Sequence, residues 1–228
     1  MKKRFILLIM TCLAMITSVL GQVAEFSDED LNAELKIYEI RKVWADKSIR
    51  VDNMDPNARV RSFAKAFCGM YQEYRPNEAM TDYLKKPGNY TYEEKHYVTE
   101  DDPRHGYIKC DMGFQFDYKT ELCYWRRPNG HLLVGILMQV GHEGEKFDAV
   151  LLFYDFDSQT QLMTPDMAIY QSVMNMVGKH TGDLYFRLPQ EGKDIQASAV
   201  HWTETDDFVY DDFWLKWTGN AFVEEADK

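Results

Sequence analysis

The sequence predicts an α+β fold in which N-terminal helices pack on a largely antiparallel, meandering sheet. Apolar residues at helical spacing occur between positions 27 and 86, and alternating apolar residues typical of strands occur between 89 and 223. Asn129-Gly130 indicates a β-hairpin at the centre of the strand-rich half. Because the strands follow the helices instead of alternating with them, the order of elements favours α+β over a parallel α/β fold.

The N-terminus, residues 1–21, has the parts of a secretory signal peptide. Positive charges at positions 2–4 precede an apolar run over 5–20, and a cleavage site follows before Gln22. A membrane anchor is the alternative, but the apolar run is short for one. We therefore expect a secreted or periplasmic protein in which residues 22–228 form a single α+β domain without a transmembrane segment.

The chain is acidic, with 37 Asp and Glu residues against 26 Lys and Arg residues and a formal net charge of −11. Removal of the three positive charges in the predicted signal peptide makes this charge −14. Such a chain repels the phosphates of nucleic acids and anionic membrane surfaces. The charge therefore argues against a nucleic-acid partner.

Capping signals predict three N-terminal helices. The first begins after the N-cap Ser27 and ends near Ser48. The second begins at Asp55, which is followed by a proline suited to a first turn, and it ends at Arg75. Asn77 is the predicted cap of a short third helix.

The central hairpin covers residues 122–140 and is predicted to lie in the interior of the sheet. A two-residue loop at Asn129-Gly130 places Trp125 opposite Val134. Both faces of the resulting hairpin are largely apolar, which is typical of strands covered on both sides.

Further strands are predicted on both sides of one more helix. Thr164-Pro165-Asp166 is a helix start signal, and that helix ends near Gly178. Strands are expected over 147–157, 184–188, 195–202 and 208–217, and a last small hairpin turns at Gly219-Asn220.

Three cysteines remain after the predicted signal peptide, at Cys68, Cys110 and Cys123. Cys110 and Cys123 lie on neighbouring predicted strands, so a disulfide between them is one possibility in an oxidising compartment. Three isolated buried thiols are the other. Their spacing fits no zinc site, and we predict neither a metal nor a cofactor.

No catalytic motif is complete. Asp155-Phe156-Asp157 follows an apolar strand, as in haloacid dehalogenase-type phosphatases, but Gln159 replaces the Thr or Val of that pattern. The histidines occur in turns and at strand ends, and none forms an HxH or HExxH pattern. Paired carboxylates for glycan hydrolysis stay possible, because the fold and not the sequence spacing sets their separation.

Four segments carry a resemblance: CYWRRPNGHLLVGI, LLFYDFDSQTQLMTP, RLPQEGKDIQ and LKWTGNAFVEE. In these strand and turn signatures the strand-rich half resembles small secreted or periplasmic bacterial β-rich proteins of unknown function. The resemblance implies an exported β-rich domain and transfers no functional residues.

One face of the predicted strand over 208–217 mixes aromatic and charged side chains, as sugar-binding faces and protein interfaces do. We expect a ligand- or partner-binding face formed by Trp202, Phe208, Tyr210, Asp212 and Trp214. The predicted function is a non-enzymatic exported binding or interaction module with a protein or carbohydrate partner. A carboxylate-dependent hydrolase acting on glycan or envelope material is the alternative.

Overall fold

The computed structural model describes residues 28–86, 91–92, 95–96, 98–112, 118–141, 148–203 and 208–226. The predicted signal peptide, residues 1–21, and the predicted cap Ser27 lie outside these ranges. No helix in the described ranges is both long and apolar enough to span a membrane.

The helices are α1 (Asp28–Val43), α2 (Arg59–Met70), α3 (Arg75–Lys85) and α4 (Met167–Val177), and a 3₁₀ turn (Trp44–Asp46) follows α1. The strands are β1 (Ile49–Arg50), β2 (Thr91–Tyr92), β3 (Lys95–His96), β4 (Val98–Asp102), β5 (Tyr107–Asp111), β6 (Lys119–Arg126), β7 (Leu132–Val140), β8 (Asp148–Asp157), β9 (Leu162–Pro165), β10 (Asp183–Arg187), β11 (Ile195–Trp202), β12 (Phe208–Trp217) and β13 (Phe222–Ala226).

The predicted α+β class with antiparallel, meandering strands is confirmed. The strand-rich half forms two main sheets instead of the one expected. A seven-stranded antiparallel sheet has the order β1-β9-β8-β7-β6-β5-β4, and a four-stranded antiparallel sheet has the order β10-β11-β12-β13. Strands β2 and β3 form a separate short pair.

The seven-stranded sheet is covered on both faces, and each face has its own apolar core. The first core joins the sheet to the N-terminal helices and contains Ile37, Trp44, Phe63, Phe67, Tyr74, Leu122, Val134, Ile136, Tyr154 and Phe156. The second joins it to α4 and the four-stranded sheet and contains Trp125, Leu133, Leu137, Phe153, Val173, Phe186, Ile195, Phe213 and Leu215. Residues 33–228 form one compact unit.

The central hairpin is buried as predicted, but its predicted register is wrong by one residue. Trp125 pairs with Leu133 instead of Val134. The loop has three residues, because the Arg127 N–H donates to the His131 carbonyl at 3.0 Å and the Gly130 N–H donates to the Arg127 carbonyl at 3.1 Å. Gly130 has φ +86°, as glycine does at the last position of such loops.

This shift changes which residues share a face, because a slip of one residue moves side chains to the opposite side of a sheet. Cys123 and Trp125 therefore lie with Leu133 and Leu137 in the second core, and Val134 lies in the first.

The predicted start of the second helix, at Asp55, is wrong. The Asp55 carboxylate accepts a hydrogen bond from the Asn57 N–H at 2.9 Å and closes a turn, and α2 begins only at Arg59. The predicted end at Arg75 is also wrong, because α2 ends at Met70 and Arg75 begins α3.

Asn77 is not a helix cap but a buried residue inside α3. Its amide donates to the Tyr71 carbonyl at 2.9 Å and accepts from the Thr120 hydroxyl at 2.8 Å. The side chain thus joins α3 to the end of α2 and to β6. In α4, by contrast, the start signal is confirmed, because the Asp166 carboxylate accepts from the Ile169 N–H at 3.0 Å.

The three cysteines of the described ranges are buried and form no disulfide. Cys68 and Cys110 belong to the first core and Cys123 to the second, so the sheet separates Cys110 from Cys123. Burial raises the pKa of the Cys68 and Cys123 thiols well above the ordinary value, which keeps both thiols protonated.

Candidate functional site

Strand β12 presents the predicted aromatic and acidic side chains to solvent. Tyr210 is 51% exposed, Asp212 is exposed and Trp214 is partly exposed, whereas Phe213 and Leu215 between them are buried in the second core. This alternation follows from the two-residue period of a strand.

For two residues of the predicted binding face, Trp202 and Phe208, only the backbone is described. The backbones of Trp202 and Phe208 pair across β11 and β12, but their side chains lie outside the described part of the structure. On the opposite side of β12, Val209 and Asp211 are exposed, whereas Phe213 and Leu215 further along the strand are buried.

Neighbouring strands add polar groups on both sides of Trp214. The register aligns Arg187 of β10, Gln196 of β11, Trp214 of β12 and Glu225 of β13 in one row across the sheet. Adjacent strands are about 4.8 Å apart, so this row crosses the width of the sheet. We call Tyr210, Asp212, Trp214 and this row the outward face.

Asp212 is fixed in place at the centre of the outward face. Its carboxylate accepts a hydrogen bond from the Ser198 hydroxyl at 2.5 Å and a longer one from the Gln196 amide at 3.5 Å. A carboxylate held in this way is oriented before any ligand arrives.

A polar depression adjoins the outward face where β10 meets the seven-stranded sheet. We call it the charged cleft; it is lined by Glu100, Tyr107, Lys109, Asp111, Lys119, Glu121, Tyr185 and Arg187, among others. Its volume is about 460 Å³, which lies within the usual range for small-molecule sites.

The floor of the charged cleft is a buried ion pair between Lys119 and Glu121. The Lys119 ammonium lies 2.9 Å from the Glu121 carboxylate and donates to the Tyr185 hydroxyl and the Phe186 carbonyl, both at 3.2 Å. The other Glu121 oxygen accepts from the Leu188 N–H at 2.9 Å. These contacts connect β6 to β10 and use all three ammonium protons.

The wall formed by β5 has two further carboxylates around one lysine. The Lys109 ammonium lies 3.2 Å from Glu100 and 3.5 Å from Asp111. Burial acts to lower the pKa of Lys109, but the carboxylates of Asp111 and Glu100 outweigh it and raise that pKa. One Asp111 oxygen is shielded from solvent and accepts no hydrogen bond.

Tyr107 is only 4% exposed, and it lines the charged cleft. Its hydroxyl forms no hydrogen bond with another described residue. Burial first, and then the nearby carboxylates of Glu121 and Glu100, raise the pKa of Tyr107 far above its ordinary value. The phenol therefore stays protonated and can donate a hydrogen bond in the charged cleft.

Arg187 links the cleft to the outward face. Its guanidinium lies over the Tyr185 ring, 5.4 Å from the centroid, and its side chain is exposed. A hydrogen bond with Tyr185 is the main reason why the pKa of Arg187 is raised, and Glu121 and Asp212 act in the same direction. Arg187 thus belongs both to the lining of the cleft and to the row that crosses the outward face.

The carboxylates of the charged cleft are paired with lysines. Glu100, Asp111 and Glu121 each have a lysine ammonium within 3.5 Å. These contacts are charge-assisted pairs that hold the carboxylates in place.

The charged cleft was not predicted from the sequence, although the sequence contains one signal for it. Lys119 and Glu121 are two residues apart, so both lie on the strand face that also carries Cys123 and Trp125. A charged pair on the apolar face of a central strand indicates a buried ion pair. The cleft residues of β5 and β10 carry no comparable signal in the sequence, because only tertiary packing brings them close to Lys119 and Glu121.

A second polar cluster fastens the tip of the central hairpin. Arg127 donates to Asp155 and to Asp166, both at 2.5 Å, and His131 Nδ1 lies 2.6 Å from Asp155. His131 Nε2 lies 3.9 Å from Asp157. These residues join the hairpin loop to β8 and to the start of α4, which is a structural role.

In the described ranges, no three His, Cys, Asp or Glu side chains are grouped so that they could hold a metal ion. Comparisons of the chain with models of protein families, with curated proteins and with solved structures found no match.

Proposed function

We propose that this chain is an exported, non-enzymatic binding module whose binding surface is the outward face together with the charged cleft. The observation that carries the proposal is the arrangement of Tyr210, Asp212 and Trp214 on one solvent-facing side of β12, with the Asp212 carboxylate already oriented. Exposed aromatic side chains beside fixed polar groups supply both contact area and directional hydrogen bonds.

Export is supported by the sequence of residues 1–21, which has the charged start and apolar run of a signal peptide. The resemblance of the strand-rich half to secreted or periplasmic bacterial proteins points the same way. The negative charge disfavours nucleic acid as a partner.

Binding is preferred over hydrolysis because of how the acids are paired. The carboxylates of the cleft have lysine partners, and Asp212 on the outward face accepts from a hydroxyl and an amide. Both environments stabilise carboxylates as hydrogen-bond acceptors, which is what a binding surface needs.

The test is a thermal-shift screen of the chain without residues 1–21 against neutral glycans, peptides and divalent metals. A ligand that binds only the folded state raises the melting temperature by mass action. For each ligand found, we expect Tyr210→Ala and Trp214→Ala to weaken binding at least about tenfold, because exposed aromatic contacts dominate such surfaces.

Tyr38→Ala is the matched control. Tyr38 is 53% exposed, close to the 51% of Tyr210, but it belongs to α1. We expect this variant to bind like the unmodified chain. Unchanged binding by both Tyr210→Ala and Trp214→Ala would remove the outward face from the site, and turnover of a glycan would refute the non-enzymatic proposal.

A further inference from the structure

We infer that the charged cleft is a binding site for a neutral, hydroxyl-rich ligand, that is, a mono- or short oligosaccharide. This inference rests on the proposed binding function and names the ligand class. Some polar groups of the cleft are already paired within the protein, and the others are left for a ligand.

The lysines of the cleft are already engaged. Lys119 directs its three protons to Glu121, Tyr185 and the Phe186 carbonyl, and Lys109 lies between Glu100 and Asp111. A ligand carboxylate or phosphate would have to displace these acids from their lysines. A ligand ammonium at Glu100 or Asp111 would lie close to the Lys109 ammonium, and the two like charges would repel each other. Both charged ligand types are therefore disfavoured.

The groups left for a ligand are a donor and acceptors of hydrogen bonds. The Tyr107 hydroxyl belongs to a side chain that is more than nine-tenths buried, and it has no acceptor among the described residues. Asp111 has an oxygen without a donor. A buried polar group without a partner, such as this Asp111 oxygen, is costly, so a ligand that donates a hydrogen bond to it gains that free energy.

A sugar hydroxyl is the group that meets both requirements, because it accepts one hydrogen bond and donates another. It accepts from Tyr107 and, at the rim, from the Arg187 guanidinium, and it donates to carboxylate oxygens that Lys109 does not use. The cleft volume of about 460 Å³ accommodates a small ligand of this kind.

Position supports the same ligand class. Arg187 lines the cleft and also stands in the row of the outward face. A saccharide longer than one ring that starts in the cleft therefore continues past Arg187 towards Gln196 and Trp214, which stand in the same row of the sheet. Aromatic side chains provide apolar faces for the C–H side of a sugar ring.

The experiment measures binding of neutral saccharides by calorimetry and thermal shift. The probes are glucose, galactose, mannose, N-acetylglucosamine and their short oligomers, with galacturonate, glycine and lysine as charged comparators. We expect saturable binding of at least one neutral saccharide. Tyr107→Phe removes only the unpaired hydroxyl and is expected to weaken that binding about tenfold, the usual effect of one hydrogen bond.

Arg187→Gln is a second variant with an exposed side chain, so its fold is not at risk, and it is expected to weaken binding about tenfold as well. Tyr154→Phe is the matched control. It removes a buried tyrosine hydroxyl from the opposite face of the seven-stranded sheet, and saccharide affinity should stay within about twofold of the original.

Three results would overturn the inference: no binding by any neutral saccharide, tighter binding of a charged comparator, or full affinity in both Tyr107→Phe and Arg187→Gln. The inference and the proposed function fail separately. Weaker binding in the cleft variants with full affinity in Trp214→Ala supports the cleft and rejects the outward face. Peptide or metal binding that depends on Trp214, without any saccharide binding, supports the outward face and rejects the cleft.

Discussion

Single polar side chains below the surface hold together elements that are far apart in the sequence. Asn77 in α3 accepts from Thr120 in β6, and the Tyr74 hydroxyl donates to the Gln139 carbonyl in β7 at 2.9 Å. Each of these groups is buried, so an unpaired partner would carry a desolvation cost of about 1–3 kcal/mol. Helices and sheet are thus joined by specific contacts in addition to apolar packing.

Arg127→Met tests a partly buried charged side chain that also joins distant elements. Arg127 neutralises Asp155 and Asp166, and its side chain is 13% exposed. Its loss leaves two partly buried carboxylates without their cation, and we expect the free energy of unfolding to fall by about 2–3 kcal/mol. Urea unfolding followed by tryptophan fluorescence measures the change.

Arg50→Met is the control for that experiment. Arg50 also pairs with an aspartate, Asp52, but the two side chains are 64% and 70% exposed. Solvent-exposed pairs contribute little, so the expected loss is below about 0.5 kcal/mol. Similar losses of unfolding free energy in the two variants would show that burial does not strengthen the ion pairs of Arg127.

At the level of elements, one glycine is required by packing inside the central strand. A Cβ on Gly135 of β7 would lie 2.7 Å from Cζ3 of Trp125, which is diagonal to it on the neighbouring strand β6. We expect Gly135→Ala to destabilise the fold by about 1–3 kcal/mol, because the indole would have to move within the second core.

Gly69→Ala provides the matched control with the opposite sign. Gly69 is an exposed residue of α2, and a Cβ there meets no atom within 4 Å. Alanine in a helix is favoured over glycine by about 0.5–1 kcal/mol, so the variant should be more stable. Thermal and urea unfolding of both variants measure the two changes in stability. A loss in both variants, or a gain in both, would contradict the prediction.

Strands were easier to predict from the sequence than turns and helix ends. Strands β7 and β8 contain long apolar runs, and β12 mixes aromatic with charged residues, so local sequence was enough to predict the presence of these strands. The hairpin loop was not, because Asn129-Gly130 fits both a two-residue and a three-residue loop and only the ladder distinguishes them. Asp55 was misplaced because the same side chain closes a turn or caps a helix.

At the scale of the whole molecule, the division into two sheets was beyond the sequence pattern. The pattern within one strand does not show which strands it pairs with, so nothing local separates β10 to β13 from the rest. The common side of Tyr210, Asp212 and Trp214 follows from alternation within one strand, whereas the rest of the outward face comes from other strands and was not predicted. The cleft was missed because it needs β5, β6 and β10 together.

The Lys119–Glu121 pair is expected to fasten the two sheets to each other. Its side chains are 5% and 3% exposed. Lys119→Met alone should destabilise the protein by about 3–5 kcal/mol, because Glu121 would keep a buried charge without a cation. The double variant with Glu121→Leu should lose less than Lys119→Met alone. Unfolding free energies of the single and double variants test this, and additive losses would exclude direct coupling.

The order of strands in the seven-stranded sheet has a consequence for folding kinetics. Strands β4 to β9 are neighbours in both sequence and space, so each can form against the one before it with a short loop to close. Strand β1 is different, because Ile49 pairs with Met163 across roughly a hundred residues of intervening chain. Contacts that close such a loop are expected to form after the rate-limiting step. A substitution that weakens the pairing of β1 should therefore raise the unfolding rate and leave the refolding rate unchanged.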